Sequence, residues 1–485
     1  MGSALLSPTF PPVQSRRCAA ERPQLRLALA AGRGLAAAAM ENRRPSTTDA
    51  ARPAGTSLAA IIVVGGAFTV GLVRLAGLVR ACAVNVPFQD QWDLLRPYFD
   101  GAGPWAAFRW QHGPHRQGRG GLVNWCLYRA TYWDVRAEAW AALAALALAA
   151  VAAIALAVRL RGRLCWTDAV FPLVLLSPVH WETMLLTPNL AHGILPVLLV
   201  FLLAHAWGDG NPRRQVIAVS MLAALCLFTG FGFCAAFVSG ALALLLWWRG
   251  DRSAAIIAVV FAVALAAFGW GYRWDPAVPG WRFPVPNWWD YPRFAALMFS
   301  SLVGWRAVGV GPALVGGAVL GLVLLVFGWS AVNLWRRSAD PVARVAWLLT
   351  GSTLAFAAFT AVGRLPVNLE AAFMWRYLPL LTPGVCGVVL FAETRAGPLP
   401  PGLRHGLVAA GLVVAAAVAG NVTPERYAVT TARAKTRWIE SYLATRDLAA
   451  ANRQSDFFVV RVDPGSAIIA ERLRWLERRK LSFFH

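Results

Sequence analysis

A chain of 485 residues that is 58% hydrophobic and only 14% charged departs from soluble globular proteins, which are about 45–50% apolar. Its charges gather between apolar runs of about twenty residues, the length that crosses a bilayer, so composition excludes a soluble enzyme. The net charge of +22 comes from arginines dispersed over the connections between runs, which orients membrane helices and gives no focused nucleic-acid face.

In chain order, residues 1–56 are rich in Ala, Pro and Arg and lack an apolar period. They read as a disordered basic tail on the cytoplasmic side. Met40 is a second candidate start, which would leave 1–39 outside the protein. The first span is expected over 57–79, with Arg74 and Arg80 snorkelling at its outer end. A long polar loop follows over 81–137. Further spans are expected near 138–158, 167–180, 190–207, 215–229, 231–249, 254–272, 311–335, 342–362, 377–393 and 405–420. The segment 294–310 reads as a further span or an interfacial helix. Arginines mark the short connections between alternate spans, which places them in the cytoplasm.

The reading is an all-α polytopic membrane protein, with a membrane domain over 57–420 and about eleven transmembrane helices. An odd count puts the C-terminus outside. The loop 273–293, with Trp274, Trp281, Trp288, Trp289 and Tyr291, reads as an aromatic belt. Residues 421–485 read as a small soluble appendage on the outer face. Within it a helix is expected from Pro424 to Asn452, then strand-like Phe457-Phe458-Val459-Val460 and a helix opened by Asp463-Pro464. That last helix carries the apolar stripe Ile469, Leu473 and Leu476. The seven cysteines show no metal spacing. Cys82 and Cys126 flank the long loop and can pair there; the sequence does not decide it.

Three polar clusters interrupt this apolar pattern. The first is Pro87-Phe88-Gln89-Asp90-Gln91-Trp92-Asp93, where two carboxylates three residues apart share a face if the segment coils. A carboxylate there can take a proton from an attacking hydroxyl, or the pair can cap an interfacial helix or bind Arg96. In the same loop stands His112-Gly113-Pro114-His115-Arg116. Its histidines can ligate a metal, although no third ligand has convincing spacing; phosphate or hydroxyl contact and a plain interfacial loop are the other readings.

The second cluster is Trp181-Glu182 with Asn189 and His192 following. An ionisable group at membrane depth is a functional candidate by default. The third is Gly363-Arg364 with Met374-Trp375-Arg376-Tyr377. Guanidinium is the natural fork for phosphate, so either arginine can neutralise a phosphate leaving group, or both simply anchor to headgroups.

In their order and sidedness these motifs resemble the GT-C superfamily of membrane glycosyltransferases. More narrowly, they resemble a group of bacterial members with a Phe/Trp-Asp-x-Trp motif after the first span. Gln89-Asp90-Gln91-Trp92 is similar to that motif, His112 to Arg116 to its H-x-x-H-R, and Trp181-Glu182-Thr183 to a Trp-Glu-Asn-like motif. Gly363-Arg364 and Arg376-Tyr377 are similar to a late Gly-Arg followed by Arg-Tyr. Thr183 and Trp375 depart from the pattern, standing where an amide and a small hydroxyl residue are usual.

The resemblance implies a glycosyltransferase of the bacterial inner membrane that moves a sugar from a polyprenyl-phosphate donor to a glycan, lipid or protein acceptor on the outer face. Asp90 would be the catalytic acid residue, with Asp93 second, and His112, His115, Arg116, Glu182, Asn189, Arg364, Arg376 and Tyr377 would contact substrates. Some members use a divalent metal such as Mg or Mn and others none. The rival reading is a transporter or flippase of a lipid-linked or anionic solute, which predicts charges lining a path within the spans.

Overall fold

The computed structural model describes residues 55–274, 281–337, 339–394, 399–455 and 466–485. The basic tail up to residue 54, the strand-like Phe457–Val460 and the Asp463-Pro464 helix start lie outside these residues. Among the described residues, nine helical runs are long and apolar enough to cross a membrane: Leu58–Cys82, Val135–Arg161, Leu190–Trp207, Gly230–Trp248, Arg252–Gly269, Val310–Arg336, Pro341–Arg364, Trp375–Thr394 and Pro401–Thr445. The chain is an all-α polytopic membrane protein.

The expected eleven spans are not all long helices, for two local reasons. Over 167–180 the chain runs as the short pieces Trp166–Ala169, Val170–Leu175 and Pro178–His180. Pro172 and Pro178 each lack a backbone N–H, so no continuous ladder forms. The span expected near 215–229 is Pro212–Leu227, 16 residues long. At about 24 Å it falls short of a hydrocarbon core of about 30 Å. The segment after 290 is a 13-residue helix, Asp290–Leu302, with Phe294, Leu297, Met298 and Phe299 fully buried. It packs on Val310–Arg336 at Gly316, where a Cβ would lie 1.8 Å from the Ala296 carbonyl oxygen.

Charge pairs hold the end of the bundle where Leu58–Cys82 begins. Thr56 Oγ1 there accepts from Leu164 N. Around the same turns Arg161 meets Asp168, Arg159 meets Asp209 at 3.4 Å, Arg344 meets Asp251 at 3.7 Å and Arg404 meets Glu393 at 3.7 Å. At the other end Arg74 does not snorkel. It pairs with Glu425 at 2.5 Å and donates to the Ala419 carbonyl, closing the break between the helices Pro401–Gly420 and Thr423–Thr445.

That second end carries the 83–134 loop and the C-terminal helices, which share one apolar cluster. Trp92, Leu95, Tyr98, Tyr128 and Trp133 of the loop pack with Trp438 and Tyr442 of Thr423–Thr445 and with Ile469, Leu473 and Leu476 of Ser466–Arg478. The Pro424–Asn452 region is two helices, Thr423–Thr445 and Leu448–Ser455, broken where Arg446 takes a left-handed turn at φ 56°. Cys82 and Cys126 are both free, the first buried and the second exposed.

Leu473 is fully buried in the shared cluster. Leu473→Ala should therefore destabilise the chain by about 2–5 kcal/mol, read as a lower Tm of the detergent-solubilised protein. Ile468→Ala, on the same helix but 52% exposed, should leave Tm unchanged; equal Tm values for the two variants would contradict the shared core.

Candidate functional site

The acidic loop is set by its own backbone. Gln89 takes a positive φ of 42°, and Asp90 then precedes the single turn Gln91–Leu94 without using its side chain as a cap. Gln91 is buried instead: its Oε1 accepts from Phe88 N at 3.0 Å and its Nε2 donates to the Pro188 carbonyl at 2.9 Å. That bond ties the loop to the second cluster and leaves the Asp90 carboxylate free to turn inward.

The second cluster is built from two widened helical turns, Glu182–Leu186 and Leu190–Ile194, on either side of Pro188. Such five-residue turns are uncommon and recur at functional sites. The second is clamped through Ala191. A Cβ on Gly230 would lie 1.4 Å from the Ala191 carbonyl oxygen, and one on Gly120 would lie 2.4 Å from the Ala191 Cβ. Gly230 also sits at φ 51°, so that position requires glycine twice over.

Five side chains from four segments then form a continuous polar chain. His112 Nδ1 donates to Asp93 at 2.8 Å, and its Nε2 lies 3.9 Å from Asp90. Asp90 Oδ2 accepts from Arg376 Nη1 at 3.0 Å. Glu182 accepts from the Arg376 backbone N–H at 3.0 Å and lies 3.6 Å from its Nε. Burial raises the pKa of Glu182, opposed by the Arg376 charge and N–H. Burial likewise works against the charged form of Asp93, but the His112 bond and charge, with Trp110 and Arg96, outweigh it and hold the group below the usual carboxylate range. Arg96 itself pairs with Asp100 at 3.6 Å.

Two cavities flank this chain. A small one of about 230 Å³ is lined by Asp90, Glu182, Thr183, Thr187, Asn189, His192 and Arg376. A larger cleft of about 520 Å³ is lined by Phe231, Trp274, Trp281, Phe359, Arg364, Tyr377 and their neighbours. The rings of His192 and Phe231, 4.7 Å apart, stand between them. Arg364 is half-buried in the cleft wall and has neither an ion pair nor a side-chain hydrogen bond among the described residues. Trp281 Nε1 donates to the Val362 carbonyl, so two indoles of the expected aromatic belt form cleft wall. Trp288 and Trp289 remain stacked at 3.9 Å and exposed.

The sequence-derived residues divide accordingly. Asp90, Asp93, His112, Glu182 and Arg376 converge; Arg364 and Tyr377 line the cleft. Asn189 lines the small cavity while its Oδ1 caps the following turn through His192 N at 3.1 Å. His115 is buried against His112, His192 and Phe231, with no hydrogen-bond partner for either ring nitrogen among the described residues. Burial, then the charges of His112 and Arg364, push its pKa down to about 3, so its ring is neutral. Arg116 does not join the site. Its guanidinium donates to the carbonyls of Arg109, Phe268 and Trp270 and lies over the Phe268 ring, which occupies it at the end of Arg252–Gly269.

Two further residues support the site. Glu138 is buried and accepts from Asn124 at 2.9 Å, Tyr128 at 2.9 Å and Leu190 N at 3.0 Å. Lys435, also buried, donates to the carbonyls of Leu186 at 2.6 Å and Leu185 at 3.2 Å, with its ammonium 5.2 Å from the Phe88 ring. Lys435 shares a face with Trp438 and Tyr442 at i, i+3 and i+7, a period the sequence displays. Glu138 reads in the sequence as an ordinary first-turn acid beside a helix N-terminus.

The donor set does not fit a divalent ion. Arg376 already lies between Asp90 and Glu182, His112 holds Asp93, and no group of three His, Cys, Asp or Glu among the described residues is arranged to hold a metal. In comparisons with family models, curated proteins and solved structures, the chain matches none.

Arg376→Met should leave Asp90 and Glu182 facing each other unneutralised and destabilise the protein by about 3–5 kcal/mol. Glu182→Gln in the same chain should restore part of that loss, measured by a double-mutant cycle of Tm; strictly additive effects would exclude the coupling. Because the folded-state pKa of Asp93 is lowered, its contribution is present above the unfolded carboxyl pKa and is lost as pH falls through the folded value. His112→Asn should therefore lower Tm near neutral pH and shrink the fall in Tm between neutral and acid pH, seen in Tm measured across that range.

Proposed function

We propose that this chain is an integral-membrane glycosyltransferase of the GT-C kind, transferring a sugar from a polyprenyl-phosphate donor to a hydroxyl acceptor. The observation that carries the reading is the pairing at one bundle end of an uncapped Asp90 carboxylate with a cleft whose Arg364 has no anionic partner among the described residues. An apolar aromatic wall suits the first isoprene units, and a guanidinium with no partner among the described residues suits the phosphate.

In this mechanism the acceptor oxygen attacks the anomeric carbon as the carbon–oxygen bond to phosphate breaks. Asp90 takes the hydroxyl proton, Arg364 receives the phosphate charge, and attack opposite the leaving group inverts the anomeric centre. Phosphate leaves readily, so no strong general acid is required. Arg376 orients Asp90, and the His112–Asp93 pair supports it from the other side. The arginine-rich turns at the opposite end favour that end in the cytoplasm, which supports a site on the outer face of a bacterial inner membrane with the C-terminus outside. A transporter would line a path through the spans with charge, whereas Asp90, Glu182 and Arg376 gather at one end.

Asp90→Asn should lower transfer from a polyprenyl-phosphate hexose or pentose by about 10²–10⁴-fold while Tm stays close to that of the parent. Undiminished transfer by that variant would remove Asp90 as the base.

A further inference from the structure

On the far side of the acid loop, the exposed edge of Ser466–Arg478 forms a groove with the short helix Arg96–Phe99. Arg96, Phe99 and Asp100 make one wall; Glu471, Arg472 and Trp475 make the other, around about 640 Å³. None of these residues lines the Arg364 cleft or the small cavity.

Three features define what the groove can hold. Two guanidinium groups are balanced by two carboxylates, so the groove favours neither anion nor cation, yet offers many donors and acceptors side by side. Phe99 and Trp475 stand edge to face with ring centroids 5.3 Å apart, and both are half-buried, which gives an aromatic platform among those polar groups. The guanidinium of Arg472 lies 5.0 Å over the Phe99 ring and donates to the Trp92 carbonyl, one residue before Asp93. From there the chain Asp93, His112, Asp90 leads directly into the site.

A phosphate would meet two carboxylates here, and an isoprenoid would strip water from four charges. A neutral polyhydroxylated ring satisfies both halves: its hydroxyls pair with carboxylate and guanidinium, and its C–H face lies on the aromatic edge. We propose that this groove is a saccharide subsite that takes the neutral, hydroxylated end of the acceptor. The role as acceptor subsite rests on the transferase reading above; sugar binding itself does not.

The test uses the full chain in detergent micelles, titrated with maltose, cellobiose, mannobiose and galactobiose and followed by tryptophan fluorescence and saturation-transfer NMR. The variant is Asp100→Ala with Glu471→Ala, two exposed positions whose removal leaves the fold in place. At least one sugar should bind, and the double variant should weaken it by about tenfold or more through loss of charged hydrogen-bond partners. In transfer assays the acceptor KM should rise by a similar factor, with kcat and donor KM unchanged. Binding equal in parent and variant, or no response to any of the four sugars, overturns the subsite. Hydrolysis of the donor by water reports the Asp90 and Arg364 chemistry without an acceptor, so it separates the two readings. Hydrolysis that persists alongside an unchanged acceptor KM defeats the groove alone, while absence of both hydrolysis and transfer defeats the transferase.

Discussion

Burying Glu182 and Arg376 at the end of an apolar bundle is tolerable because each meets the other, and Asp90 completes the arrangement. A charge removed from water without a partner costs several kcal/mol, so the three segments that carry these groups are held to one mutual geometry. Asp90 lies 286 residues from Arg376 and Glu182 lies 194 from it, so the contact is a long-range constraint on the whole chain. The loop turn at Gln89, the widened turn at Glu182 and the short helical stretch Trp375–Leu381 all satisfy that requirement.

Around this centre, four supports act on backbone. Gln91 reaches the Pro188 carbonyl, Glu138 the Leu190 N–H, Lys435 the Leu185 and Leu186 carbonyls, and Gly230 makes room for the Ala191 carbonyl. Polar groups that irregular turns would otherwise leave open are thereby satisfied inside the bundle, where water is scarce. A site with groups fixed before substrate arrives needs little reorganisation during a reaction, which is where electrostatic stabilisation is most effective.

The membrane class and most of the long helices were legible because apolar run length is a local property. The prolines at 172 and 178 are equally visible, but hydropathy averages them away, so the segment they interrupt has the signature of a span. The acidic loop, Glu182 and Arg376 stood out because charge is rare in such surroundings. What the sequence withheld was partnership. Arg116 sits in a motif with His112 and His115, yet its guanidinium serves carbonyls near residue 270, a choice made by tertiary packing. Lys435 had a readable period but no hint that its face would meet the Leu186 carbonyl, 249 residues away.

The cover over the acid loop has a consequence for biosynthesis. Arg472 contacts the Trp92 carbonyl across 380 residues, and Ser482 reaches back to Tyr132 and Asn85. At ordinary translation speeds the loop leaves the ribosome roughly half a minute before these partners exist. The face of the loop that Arg472 and Trp475 cover must therefore stay open until a helix made some 380 residues later reaches it.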